Sequence, residues 1–143
     1  MNNLPKAYTF DELSVGQKDS FTKMISESLL NEFANISGDF NPIHMDENYA
    51  SSSLFKKRIC HGMLLASFFS QLVGMYLPGE NSLYFSQELN FRKPCFIGDK
   101  ITVEGKIIEK SESTRIVSIS TSIFNQSGEC LIDGIAKVLL RTN

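Results

Sequence analysis

An aspartate and a histidine stand five positions apart in Gly38-Asp39-Phe40-Asn41-Pro42-Ile43-His44, and His61-Gly62-Met63-Leu64 follows after Arg58-Ile59-Cys60. Asp39 and His44 offer a carboxylate and an imidazole, groups suited to general acid and base work near neutral pH. Pro42 fixes its own φ and drives Asn41 toward an extended backbone, so the acid and the imidazole are held on a stiff segment. Gly62 opens an apolar run with the composition of a helix, and the first amides of a helix are unpaired donors carrying partial positive charge. Together these parts could run chemistry on a polarised carbonyl.

The elements that must position them follow from spacing. Lys18–Met24 reads as a first strand of weak alternation. Ser26 is an N-cap, Glu27 suits the positive helix start, and Leu29, Leu30, Phe33, Ala34 and Ile36 recur with helical spacing until Gly38. This pattern delivers Asp39 at a helix exit. Regular helix is not expected through Phe40 to Ile43, while Asp46 is expected to cap a short helix over Glu47–Ser52.

Met63–Leu77 holds no charged residue, which predicts a helix enclosed by other elements, ended by Pro78-Gly79. Its small or polar positions, Ser67, Ser70, Gln71 and Gly74, share one face that should turn toward something specific. Leu83–Phe91, Ile101–Glu109, Ile116–Phe124 and Leu131–Leu140 read as strands, with Asn125-Gln126-Ser127-Gly128 as a turn. Helices first and consecutive strands afterwards predict an α+β domain, its strands an antiparallel meander curled around the charge-free helix. Tyr84 and Phe85 are expected to fill core or acyl pocket.

The 143 residues suit a single domain spanning 1–143, able to bury a core without disulfides or metal. A net charge of −2 gives no footing for nucleic acid. The start of the chain lacks a signal-peptide layout and Met63–Leu77 is too short for a bilayer, so a cytoplasmic protein without membrane contact is expected. Cys60, Cys95 and Cys130 are widely spaced among apolar neighbours and read as buried thiols. Neither histidine has ligand spacing with the other or with a cysteine, so no metal site is expected.

The segments Gly38-Asp39-x-Asn41-Pro42-Ile43-His44-x-Asp46, Tyr49-Ala50, Phe55, Arg58-Ile59 and His61-Gly62-Met63-Leu64 resemble the hydratase 2 motif. That motif marks MaoC-like (R)-specific enoyl-CoA hydratases, and the similarity runs from Phe10 to Leu140, including the corner Pro94-x-x-x-Gly98-Asp99. The resemblance implies a hot-dog fold, a curved antiparallel β-sheet wrapped around a long central helix, with an overhanging loop and short-helix segment carrying the site. It also implies a homodimer and an enzyme of fatty acid metabolism. This hydro-lyase would add water syn across a trans-2-enoyl-CoA to give an (R)-3-hydroxyacyl-CoA.

Carried over residue by residue, the resemblance makes Asp39 and His44 catalytic and gives the Gly62 amide to the thioester carbonyl. Ser70 falls where related hydratases carry a serine that helps fix the pair, against the plainer reading that its hydroxyl caps a carbonyl one turn earlier. Asn41 is expected to orient the loop or bond His44, and His61 to donate to a backbone carbonyl that steadies Gly62. Arg58 is expected to pair with Asp46 or Asp39. Lys56-Lys57 and Arg92-Lys93 are candidates for coenzyme A phosphates beside the plainer reading of solvated surface.

No cofactor is implied, because the coenzyme A thioester is itself the substrate. Dehydration of a 3-hydroxyacyl group on acyl carrier protein is the same chemistry reversed and stays open. A non-catalytic acyl-thioester-binding subunit is disfavoured by the presence of both Asp39 and His44. A hot-dog thioesterase is disfavoured because no Asp or Glu occurs between Met63 and Leu77.

Overall fold

The computed structural model describes residues 3–142. The central strands form because their apolar residues alternate. In β4 (Lys100–Ser111) Ile101, Val103 and Ile107 are buried, while Lys106 between them is exposed. β5 (Ile116–Phe124) and β6 (Cys130–Leu140) continue from it as antiparallel neighbours. β1 (Lys18–Met24) adds to β4, and β2 (Ser82–Gln87) adds to the far side of β6, giving the order β1-β4-β5-β6-β2.

The expected meander therefore holds only for β4 to β6. The stretch read as one strand over Leu83–Phe91 is broken into β2 and β3 (Asn90–Phe91), which pair with β6 rather than with β4. Gly134 explains the close approach at the break: a Cβ there would lie 1.8 Å from the Glu88 carbonyl oxygen, so only glycine admits that backbone. Leu83, Tyr84 and Phe85 are exposed, so neither face of this edge strand fills the core of the single chain as expected.

Five buried residues of the charge-free helix, Leu64, Leu65, Phe68, Phe69 and Leu72, pack against Ile101, Val103, Ile123, Leu131 and Ile132 of the sheet. Each such side chain withdrawn from water is worth about 1.5–3 kcal/mol. The helix is α-helical over Gly62–Gln71 and widens to a π turn over Leu72–Tyr76, where Leu77 N–H reaches the Leu72 carbonyl at 2.8 Å. It is not enclosed all round. Met63, Ser67 and Ser70 are exposed, and with Phe33, Tyr84 and Leu89 they line an apolar groove. The predicted polar stripe is thus divided, because Gln71 turns aside to accept from Lys23 Nζ at 3.0 Å.

Three short helices bridge β1 to this central helix, which we number α4. Helix α1 (Glu27–Ser37) begins at Ser26, whose side chain accepts from Leu29 N–H, and ends at Gly38 with φ +78°. That left-handed conformation suits glycine and turns the chain sharply into Asp39. Helix α2 (Pro42–Met45) was not expected from the sequence. Pro42 occupies its first turn, where a missing N–H costs nothing, and Asn41 caps it by accepting from Ile43 N–H at 3.1 Å. Helix α3 (Glu47–Ser51) starts at the Asp46 cap, as read, and is one residue shorter. No helix among the described residues is long and apolar enough to cross a membrane.

Candidate active site

The segment Arg58-Ile59 is the template on which His44 is held. Ile59 N–H donates to the Ile43 carbonyl at 3.3 Å, and the Ile59 carbonyl lies 2.8 Å from His44 Nδ1. A carbonyl only accepts, so Nδ1 carries the proton and the neutral ring keeps its lone pair on Nε2. Arg58, buried to 7% exposure, donates from Nε to the His44 carbonyl at 2.6 Å and from Nη1 to Glu27 Oε1 at 2.8 Å. Its expected partners Asp46 and Asp39 are therefore replaced by Glu27. The reason is geometric: Glu27 lies in the first turn of α1, and Asp46 is occupied with capping α3.

Asp39 lies opposite Nε2. Its Oδ2 is 4.0 Å from His44 Nε2, too far for a direct hydrogen bond. A water about 2.8 Å from each atom would close the triangle. The other oxygen, Oδ1, accepts from Asn41 N–H at 3.1 Å, so Asn41 orients the loop by its main chain and its capping side chain. The Asn41 carbonyl also accepts from His44 N–H at 2.9 Å, while its side chain does not reach the imidazole.

His61 is 1% exposed and its Nε2 is 3.0 Å from the Asp39 carbonyl, a donation the sequence reading anticipated without naming the acceptor. Its ring stacks on His44 with centroids 4.1 Å apart and meets Phe33 edge-on at 5.0 Å. Burial pushes its pKa below the ordinary 6.5, outweighing the opposing hydrogen bond to Asp39. The folded protein thus keeps His61 neutral.

Spacing gave no sign that the two histidines meet, yet Asp39, His44 and His61 each bring one ligand atom within 4.8 Å of the others. His44 Nδ1 and His61 Nε2 are spent on carbonyls, and stacked rings point their in-plane lone pairs side by side rather than at one centre. That arrangement suits a bridging water better than a metal ion.

His44 and Gly62 line one cavity of about 430 Å³, with Cys60, Leu65, Phe91 and Cys95. Gly62 is the first residue of α4, and no side chain among the described residues caps that helix start, so the first-turn amides keep donors to spare beside the cavity that Gly62 lines. A Cβ on Gly62 would lie 2.7 Å from Phe91 Cε1. The missing side chain thus makes room for the Phe91 ring, a role the sequence did not disclose. Cys60 and Cys95 are buried as expected, whereas Cys130 is only partly so. Donation of its S–H toward Cys60, together with burial, holds the Cys95 thiol protonated and pushes its pKa upward, so it is a poor nucleophile toward an ester.

Ser70 lies in the apolar groove beside Met63 and Tyr84, not in this cavity, and makes no hydrogen bond to Asp39 or His44 among the described residues. Ser67, one turn earlier, is the serine that caps a carbonyl, at 2.5 Å from Leu64 O. Arg92 and Lys93 line the cavity and pair with Asp133 and Glu129, whereas Lys57 lies over the Phe96 ring.

A curved antiparallel sheet around one helix, with short helices carrying an acid and an imidazole over its N-terminus, defines a hot-dog protein of the hydratase and dehydratase kind. The chain belongs to the MaoC like domain family, whose model matches residues 12–125. It is 42% identical over 128 residues to the (R)-specific enoyl-CoA hydratase of Aeromonas caviae, covering 90% of this chain and 96% of that one. The unliganded R-hydratase of Pseudomonas aeruginosa superposes with a TM-score of 0.92 at 38% identity, covering 97% and 89%. A mitochondrial 3-hydroxyacyl-[acyl-carrier-protein] dehydratase of Arabidopsis thaliana is 35% identical over 131 residues, covering 90% and 78%.

The depressed pKa of His61 has a thermodynamic consequence. Below pH 6.5 the unfolded chain binds a proton at His61 that the folded chain refuses, so unfolding gains protons. The stabilisation is complete above 6.5 and is lost as pH falls from there toward the lowered folded value. Melting temperatures recorded from about pH 7.5 to about pH 5 should fall more steeply for the wild type than for His61→Phe. Parallel declines would show that burial does not depress this group.

Proposed function

We propose that this protein is an (R)-specific enoyl-CoA hydratase. It adds water syn and reversibly across a trans-2-enoyl-CoA, giving an (R)-3-hydroxyacyl-CoA. The observation that carries the reading is the 4.0 Å gap between Asp39 Oδ2 and His44 Nε2 beside a cavity lined by His44 and by Gly62 at the start of α4. The relatives' shared hydro-lyase chemistry supports it.

Ionised Asp39 and neutral His44 both present acceptors to the gap. A water donating one hydrogen to each is left with a lone pair free to attack C3. As the C3–O bond forms, His44 Nε2 takes a proton from that water, and the carboxylate of Asp39 offsets the charge of the imidazolium. The electron pair of the double bond moves through C2 toward the thioester oxygen, which accepts from Gly62 N–H. One preorganised donor of this kind is worth about 3 kcal/mol in the transition state. His44 then returns its proton to C2, the bond to C2 closes on the same face, and both residues regain their starting states. The reaction uses no cofactor.

The chemistry is indifferent to what the acyl group is attached to, and the plant relative's name favours a second reading, dehydration on acyl carrier protein. Arg92 and Lys93 suit coenzyme A phosphates because their pairs with Asp133 and Glu129 are exposed. Such pairs are worth about 0–1 kcal/mol, so the cations exchange partners cheaply.

The working form is a homodimer. β2 is an edge strand with Leu83 54% and Phe85 68% exposed, a surface that invites pairing with a second copy.

Two measurements follow. Purified protein mixed with crotonyl-CoA should lose enoyl absorbance and yield the (R)-alcohol. Folded Asp39→Asn should lose about a hundredfold or more in kcat, and undiminished hydration by it, or release of free coenzyme A by the wild type, would refute the reading. Sedimentation should give the mass of two chains for the wild type and of one for Phe85→Asp, and a monomeric wild type would exclude the dimer.

A further inference from the structure

Asp39 is the more weakly held member of the pair. Its main-chain N–H bonds to Ser37 Oγ at 3.1 Å, and its Oδ1 takes Asn41 N–H at 3.1 Å, so both tethers stay inside residues 37–41. Its side chain is 47% exposed. Among the described residues its one hydrogen bond to a distant segment is from His61 Nε2 to its carbonyl, at 3.0 Å. His44, in turn, is fixed in its plane by Ile59 and has its face against the His61 ring at 4.1 Å. His61 therefore touches both partners, one by its donor and the other by its π face.

The arrangement carries a cost of its own. His61 Nδ1 is buried without a hydrogen-bond partner among the described residues. A buried acceptor left unpaired is destabilising, and a phenylalanine would fill nearly the same volume against Phe33 without that cost. A costly group is retained here where a cheaper one fits, and the property the cheaper one lacks is the Nε2–H donor.

We infer that His61 is a positioning residue for the Asp39–His44 pair: its Nε2–H fixes the Asp39 carbonyl and its ring seats the imidazole, setting the gap that holds the water. The inference rests on the hydratase reading for its kinetic consequence. It does not rest on that reading for the order it imposes on Asp39.

Two variants separate the donor from the ring. His61→Phe keeps an aromatic plate and removes the donor, whereas His61→Gln keeps an N–H within reach of the same carbonyl. His61→Phe is expected to melt at or above the wild-type temperature near neutral pH and to lose about ten- to hundredfold in kcat for crotonyl-CoA, with KM within about twofold. His61→Gln should recover part of that kcat. Backbone 15N relaxation at Asp39 and Phe40 should report lost order in His61→Phe and restored order in His61→Gln. Wild-type kcat in His61→Phe, or no advantage of Gln over Phe, would overturn the inference. Unchanged order at Asp39 in His61→Phe would overturn it even if the wild type proved inactive on crotonyl-CoA, an outcome that by itself would remove only the hydratase reading.

Discussion

The hydrogen bond from His44 Nδ1–H to the Ile59 carbonyl, 2.8 Å long, decides what the imidazole can offer. With that proton spoken for, the neutral ring turns its only lone pair toward Asp39 Oδ2 across 4.0 Å. Reversing the tautomer would aim an N–H at the carboxylate, favour a direct bond across the gap and leave the imidazole no lone pair there to accept from a water. The Ile59 carbonyl therefore fixes a chemical state as well as an orientation.

Much of the neighbouring structure serves to keep that carbonyl where it is. Arg58 and Ile59 bracket α2, with a side-chain bond to the His44 carbonyl and a main-chain bond to the Ile43 carbonyl. Arg58 reaches on to Glu27 at the start of α1, and the isolated bridge between Ile59 and Phe96 pins the same segment to the loop that follows β3. The next residues are Cys60, His61 and Gly62, so one short stretch delivers in order the template, the stacking ring and the amide. Behind it α4 buries its apolar side against the sheet, which gives the amide at its N-terminus a rigid base.

The parts of this account that were legible in the sequence are those governed by local rules. Ser26, Gly38 and Asp46 are caps whose geometry depends on a few neighbours, and their helices formed within a residue of expectation. Asp39, His44 and Gly62 were identified by a motif of unlike residues in fixed order; His44 and Gly62 line one cavity, and Asp39 stands 4.0 Å from His44. Whatever depended on distant partners was hidden. Glu27 suited the helix dipole and gave no sign of Arg58. The stacking of His44 on His61 joins α2 to the residue before α4, across the whole of α3 and the loop after it. Pairing of β2 with β6 rather than with its successor is a topological choice that alternation cannot express, and the helix Pro42–Met45 was missed because Pro42 was read as a breaker when it stood at a first turn. Ser70 was placed by resemblance alone, and in the single chain it faces the apolar groove.

The chain contains only two histidines, which makes the central claim open to direct observation. Imidazole 15N NMR on histidine-labelled protein without a histidine tag, with His61→Phe used to assign the two rings, reads each tautomer separately. The account requires His44 to be the Nδ1–H form and His61 the Nε2–H form near neutral pH. A His44 protonated at Nε2 instead would contradict it, because no acceptor would then face Asp39 across the gap.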